Sequence, residues 1–190
     1  MAKFFGNLHL VLVTGLVAAI VLMMGFTDSA PVDANSVLRW LHIFFGIVWI
    51  GLLYYLNFVQ VPTMPKIPAE QKGAITGFIA PKVFFFFRYG AVLTVITGLG
   101  IAVVSGYAHQ AMTLTGEGNV RLIGIGMWLA LIMAFNVWFI IWPAQKKILG
   151  IVEASAEEKA AAAPRALYAS RTNTLLSIPM LYAMVSANLG

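Results

Sequence analysis

The chain has 190 residues, 61% of them hydrophobic and 10% charged, with a net charge of +5, a mean hydropathy of +0.88 and no cysteine. Soluble domains carry about 25% charged residues, so this composition belongs to the membrane class and leaves no room for a separate soluble domain. The missing cysteines exclude disulfides, thiolate metal sites, iron–sulfur clusters and c-type haem attachment.

Five apolar stretches follow one another along the chain. The first covers 8–26 and is expected to be a retained span rather than a signal peptide, because it is long and no small-residue cleavage site ends it. It carries Gly15 and Ala19 and is closed by Thr27-Asp28-Ser29-Ala30-Pro31. The second covers 37–59, with Asn35 or Ser36 as helix cap. Proline cannot continue a helix, so Val61-Pro62-Thr63-Met64-Pro65-Lys66-Ile67-Pro68 is expected to break the second span sharply.

The third stretch starts at the Phe84 to Phe87 run and ends near Ser105. Gly90, Thr94, Gly98 and Ala102 recur in it at four-residue intervals, a ridge that lets another helix approach closely. The fourth covers 120–142, carries Gly126, Ala130 and Ala134, and is expected to end at Trp142-Pro143. Around 151–163 an Ala-rich segment with Glu157, Glu158 and Lys159 reads as a short cytoplasmic surface helix stopped before Pro164. The fifth stretch, 174–189, is the shortest. The expected fold is an all-α integral membrane protein: one membrane-embedded domain over 1–190, built as a bundle of about five transmembrane helices.

Loop charges orient the bundle. Lys3, Lys66, Lys72, Lys82, Arg88, Lys146, Lys147, Lys159, Arg165 and Arg171 fall on one side of a five-span arrangement, and Arg39 and Arg121 on the other. The positive-inside rule then puts the N-terminus in the cytoplasm and the C-terminus outside. It also explains the basic excess without nucleic acid. Trp40, Trp128, Trp138 and Trp142 lie near span ends, as interfacial anchors do, whereas Trp49 lies deeper.

His42 is the singular residue. An ionisable side chain within an apolar span is costly without a partner, and a buried imidazole can hydrogen-bond, carry protons or ligate a metal centre such as haem. Gly46 follows one turn along the same face and Trp49 at i+7, so the glycine leaves a flat gap beside the ring that a porphyrin or a neighbouring helix could fill. By depth, His109, Met127 and Met184 are the candidates for a second axial ligand, although methionine in a core is ordinarily filler. His9 lies at the opposite end of its helix and is excluded.

Arg88 reads as a side chain snorkelling to the inner interface. Asn57 and Asn136 are expected to hydrogen-bond across the second and fourth helices. No apolar stretch contains Asp or Glu, which argues against a carboxylate proton relay. There is no catalytic triad, H-E-x-x-H or phosphate-binding loop to nominate a catalytic residue. No long internal repeat points to an inverted-repeat transporter.

Three segments carry a family resemblance: WLHIFFGIVWIGLLYYLNF at 40–58, NVWFIIWPAQKKILG at 136–150 and RTNTLLSIPMLYAMVSANL at 171–189. They resemble the N-terminal membrane domain of the bacterial c-type-cytochrome urate hydroxylases, the urate oxidase N-terminal family. Members of that group are much longer and end in a cytochrome c domain. This sequence has no C-x-x-C-H, so urate chemistry is not carried over.

The resemblance implies a redox-linked subunit of the bacterial inner membrane, with haem b as cofactor and a separate c-type cytochrome or partner complex as electron partner. A narrower similarity is to the membrane haem proteins of the protoporphyrinogen oxidase HemJ type, and rests on the His-bearing helix, the basic loop after it and Thr97-Gly98-Leu99-Gly100. In that family a histidine and a lysine are implicated in haem binding. His42 falls at the histidine, whereas the lysine position falls near Ile125. The alternative reading is a cofactor-free accessory subunit of a larger membrane complex or homo-oligomer.

Overall fold

In the computed structural model, residues 1–26 and 32–187 are described. The turn expected at 27–31 and the last residues of the fifth stretch lie outside them. After a single turn at Ala2–Phe5, helix α1 is Leu8–Gly25, α2 is Ala34–Lys66, α3 is Ala69–Val104, α4 is Ala108–Met112, α5 is Gly118–Ile148 and α6 is Ala156–Ser186. Among the described residues there is no strand. Four helices there, α1, α2, α3 and α5, are long and apolar enough to cross a membrane. One domain is the expectation from sequence; residue contacts divide the chain into two compact units, Met1–Val37 and Leu38–Gly190.

In the first unit, Asn7 caps α1 by accepting the Leu10 N–H at 3.2 Å. The helix is apolar on all faces and has no buried residue among those described, as suits a span surrounded by lipid or by a partner. Asp33, rather than Asn35 or Ser36, caps α2. Its carboxylate accepts the Ser36 N–H at 2.7 Å and Ser36 Oγ accepts the Asp33 N–H at 3.0 Å, which holds the Asp33 carboxyl below its ordinary value.

The second unit departs from the expected helix ends for one physical reason. Pro62 and Pro143 do not stop their helices. Each sits at the second residue of an α segment that directly follows a π-helical segment: Tyr55–Gln60 before Val61-Pro62, and Asn136–Ile141 before Trp142-Pro143. The same holds for Ile75–Ile79 before Ala80-Pro81, so α3 begins at Ala69, well before the Phe84 run. A proline ring collides with the carbonyl four residues back and offers no N–H. Widening the preceding turn resets the hydrogen-bond ladder, so the proline falls where no N–H is needed.

Helix α6 also runs on where a stop before Pro164 was expected, for 31 residues through both Pro164 and Pro179. Its start is anchored by a capping box between Ser155 and Glu158 and by the Lys147–Glu158 ion pair at 2.7 Å. Ala162 and Ala166 are then packed against Ala144 and Ile148 of α5.

The core of the second unit joins Trp49, Leu53 and Leu56 of α2 to Phe84, Phe87 and Ala91 of α3 and to Met133 and Val137 of α5. Since lipid is as apolar as these side chains, close packing and interhelical hydrogen bonds hold the bundle. The small-residue ridge of α3 is where α2 lies. A Cβ on Gly90 would come within 3.3 Å of the Trp49 backbone nitrogen. The two buried asparagines do not pair across α2 and α5; each turns to α6. Asn57 Nδ2 donates to Ser170 Oγ at 2.8 Å, and Asn136 Nδ2 donates to Asn173 Oδ1 at 2.9 Å while Asn173 Nδ2 donates to the Met133 carbonyl.

Candidate functional site

Helical periodicity puts Arg39, His42, Gly46 and Trp49 on one face of α2. That face looks into a cavity of about 680 Å³ walled by α2, α3, α5 and α6. Ligand pockets span about 300–1,000 Å³, and the volume falls within that range. Thr94 and Gly98 line it from α3, Met127 from α5, and Met180 and Met184 from α6, with Tyr107 at the Arg39 end. On the flank between α2 and α6 the lining residues Ile43, Ile47, Leu181 and Val185 are exposed, so the cavity opens through an apolar slot.

Two glycines shape the space around the imidazole. A Cβ on Gly98 would sit 2.8 Å from His42 Cε1 and 3.1 Å from Nδ1, so only glycine lets the ring lie against α3. A Cβ on Gly46 would meet nothing nearer than Thr94 Cγ2, at 4.0 Å, which leaves the gap beside His42 open.

The ring's hydrogen bonds fix its chemistry. His42 Nδ1 lies 2.9 Å from the Thr94 carbonyl and 3.2 Å from Thr97 Oγ1. A carbonyl can only accept, so Nδ1 carries the proton and donates. Thr97 Oγ1 spends its own proton on the Leu93 and Thr94 carbonyls and can therefore accept. Nε2 is left with its lone pair, and among the described residues it has no protein partner. Metal-binding histidines are commonly held in this way, with the other ring nitrogen donating to a carbonyl. Trp49 adds a second polar feature: its indole N–H is fully buried and has no acceptor among the described residues. Tyr54, also on the wall, pairs its hydroxyl with Ser177 Oγ at 3.0 Å.

The structure therefore brings His42, Gly46, Trp49, Met127 and Met184 around one cavity and leaves His109 apart. His109 is exposed on α4, and its carbonyl accepts Thr113 Oγ1 at 2.8 Å. Ile125, at the aligned lysine position of the HemJ-type proteins, is exposed on α5 and does not line the cavity. Arg88 is held within the fold rather than merely reaching for an interface: its guanidinium lies 3.4 Å over the Trp142 ring, its Nε donates to the Phe84 carbonyl, and the Arg88 carbonyl accepts Trp138 Nε1. No cluster of three His, Cys, Asp or Glu side chains occurs among the described residues.

Sequence reasoning nominated neither Arg39 nor Tyr107 for the site. The spacing of Arg39 from His42 was a legible signal. Tyr107 depends on a turn through Gly106, whose φ of 78° brings the Tyr107 N–H back to the Ala102 carbonyl at 3.1 Å. Burial pushes the Tyr107 phenol above its ordinary value, and the nearby Arg39 charge opposes that shift.

The arrangement places a neutral imidazole on the wall of a mostly apolar cavity. The imidazole offers one lone pair from α2, and the thioethers of Met127, Met180 and Met184 face the same cavity from α5 and α6. Residues 82–190, more than half of the chain, match the family described as urate oxidase N-terminal. The match takes in the segments at 136–150 and 171–189, while 40–58, with His42, precedes it. No curated protein and no solved structure matches the chain significantly.

Proposed function

The chain belongs to the urate oxidase N-terminal family, and on that premise we propose that it is a redox-linked membrane subunit that holds haem b through His42. The observation that carries this reading is the ring itself: Nδ1 engaged by Thr94 and Nε2 left with its lone pair, on the wall of a cavity of about 680 Å³. Met127 or Met184 would offer the iron a thioether, Gly98 seats the imidazole against α3, and Gly46 leaves the room beside it. Haem bound there would supply one-electron chemistry, exchanged with a c-type cytochrome or a partner complex. The protein's own part is to fix the imidazole tautomer, surround the site with apolar side chains and exclude water from it.

In this reading α6 crosses the bacterial inner membrane as a fifth span, with the N-terminus in the cytoplasm. The basic loops support that orientation. Absorption spectroscopy of the purified chain tests the assignment. A Soret band is expected, and it is expected to be lost in His42→Ala while the helical circular-dichroism signal is retained. A folded, colourless wild-type chain that takes up no added haem would overturn it.

A further inference from the structure

The fold occupies only part of the Arg88 guanidinium. Its Cζ lies 3.4 Å over the Trp142 ring, the separation of a stacked contact, and Nε donates to the Phe84 carbonyl at 3.0 Å. A stacked guanidinium spends its face and keeps its edge, where the N–H groups lie in one plane. Among the described residues the Nη groups on that edge have no acceptor, and the one ion pair is Lys147–Glu158. Neither α5 nor α3 from Gln71 onward contains Asp or Glu. Lys146 follows Trp142 by one helical turn in the segment Trp142–Ile148, so it stands on the same flank of α5.

The surface beside this cation is aromatic. Tyr89 lies 5.7 Å from the guanidinium, edge-on to Trp138 at 5.9 Å and against Phe85 at 4.7 Å between ring centroids. Phe85 and Tyr89 are exposed. From Gly118 to Trp142, α5 advances roughly 36 Å along its axis, and the hydrocarbon core of a bilayer is about 30 Å thick. When α5 crosses the membrane, the Arg88–Trp142 contact therefore lies at headgroup level.

We infer that Arg88, Trp142 and Lys146 form a binding site for an anionic phospholipid, with its phosphate on the Arg88 edge and an acyl chain along Phe85 and Tyr89. Arg–phosphate pairs are charge-assisted and often two-pronged, and the Trp142 ring holds the guanidinium ready for one. A soluble anion would gain nothing from the aromatic wall, whereas an amphiphile uses both halves of the surface. A zwitterionic headgroup would bring an ammonium beside Lys146 with no carboxylate to receive it, so the site selects a net negative headgroup. Basic sites between helices at this level are where acidic lipid headgroups are held. None of these residues lines the His42 cavity, and the site stands independently of the haem reading.

Native mass spectrometry of the purified full chain in detergent, with added phosphatidylglycerol or phosphatidylcholine of the same acyl chains, tests the site. The wild type is expected to keep one phosphatidylglycerol, bound about tenfold more tightly than phosphatidylcholine, the effect of one charge-assisted hydrogen bond. Arg88→Gln should remove most of that preference, and Arg88→Lys should restore part of it, since an ammonium keeps the charge but not the planar fork. Lys146→Gln should remove a smaller part. Lys72→Gln, roughly 24 Å away along α3, should leave it unchanged. Circular dichroism checks that Arg88→Gln is folded. If it is not, Lys146→Gln carries the test, because its ammonium has no partner among the described residues. Excess glycerol phosphate, which has the headgroup but no chains, should not displace the lipid. Equal binding of the two lipids by the wild type, equal losses in Lys72→Gln and Arg88→Gln, an unchanged preference in Lys146→Gln, or displacement by glycerol phosphate would overturn the inference.

Discussion

Replacing Gly98 by alanine tests the seat of the imidazole most directly. The new methyl would sit 2.8 Å from His42 Cε1 and 3.1 Å from Nδ1, well inside van der Waals contact. The imidazole is hinged at its two side-chain torsions, but Nδ1 is tied to the Thr94 carbonyl at 2.9 Å. A rotation large enough to clear the methyl stretches or breaks that bond. Overpacking of this kind costs about 1–3 kcal/mol, and loss of the hydrogen bond about 1 kcal/mol more. The helix propensity gained by exchanging glycine for alanine offsets about 1 kcal/mol. The net expectation is a loss of about 1–3 kcal/mol, with a displaced or weakened Soret band.

Gly46→Ala is the matched control, because its methyl would have open space and only Thr94 Cγ2 at 4.0 Å. It should leave thermal stability level or slightly raised while lowering haem affinity, since it fills the gap beside the ring. Thermal melts in detergent read the first quantity and haem titration the second. Wild-type stability together with an unshifted Soret band in Gly98→Ala would refute the argument that glycine is needed to seat His42.

Two further outcomes follow from the polar contacts. Asn173→Leu removes the acceptor of Asn136 and the donor to the Met133 carbonyl, both buried. A loss of about 1–2 kcal/mol is expected in thermal melts, and a melting temperature unchanged from wild type would show that this pair is not structural. The Lys147–Glu158 contact gives a pH signature, because the lysine holds the Glu158 carboxyl below its ordinary value. A depressed folded value stabilises above the unfolded carboxylate range and is lost as pH falls through the folded value. Stability of the loop before α6 should therefore drop only on the acid side, and hydrogen exchange there in Glu158→Gln should lack that pH-dependent step.

Helix existence was legible from apolar run length alone, because about twenty apolar residues have few other fates. Helix ends were not. The rule that proline stops a helix misplaced the ends at Pro62 and Pro143, since a single widened turn absorbs the proline, and nothing in Tyr55–Gln60 or Asn136–Ile141 marks that turn by composition. Asn57 and Asn136 were legible as buried polar residues. Their partners were not, because Ser170 and Asn173 lie in α6 ahead of its apolar stretch, among polar residues that local sequence presents as surface. For the site, His42 stood out as an ionisable residue in an apolar span, and Gly46 and Trp49 followed from helical spacing. The glycine that touches the ring is Gly98, more than fifty residues away in sequence, and only the packing of α2 on the α3 ridge reveals it. His109 was nominated by depth alone, and depth carries no information about which way a loop side chain faces.

The junctions where a proline follows a widened turn have an evolutionary consequence. Each such turn accommodates one surplus residue, and every side chain beyond it is rotated by about 100° relative to an unbroken α-helix. Exchanging Pro62 alone for alanine would not return Asn57 and His42 to the angular relation of a regular helix, because the surplus residue would remain. Exchange of the proline and deletion of one residue in Tyr55–Gln60 must come together to do so. Relatives of this chain that lack the surplus residue should accordingly lack the proline as well, since a lineage with the proline alone would have its ring collide with the preceding turn.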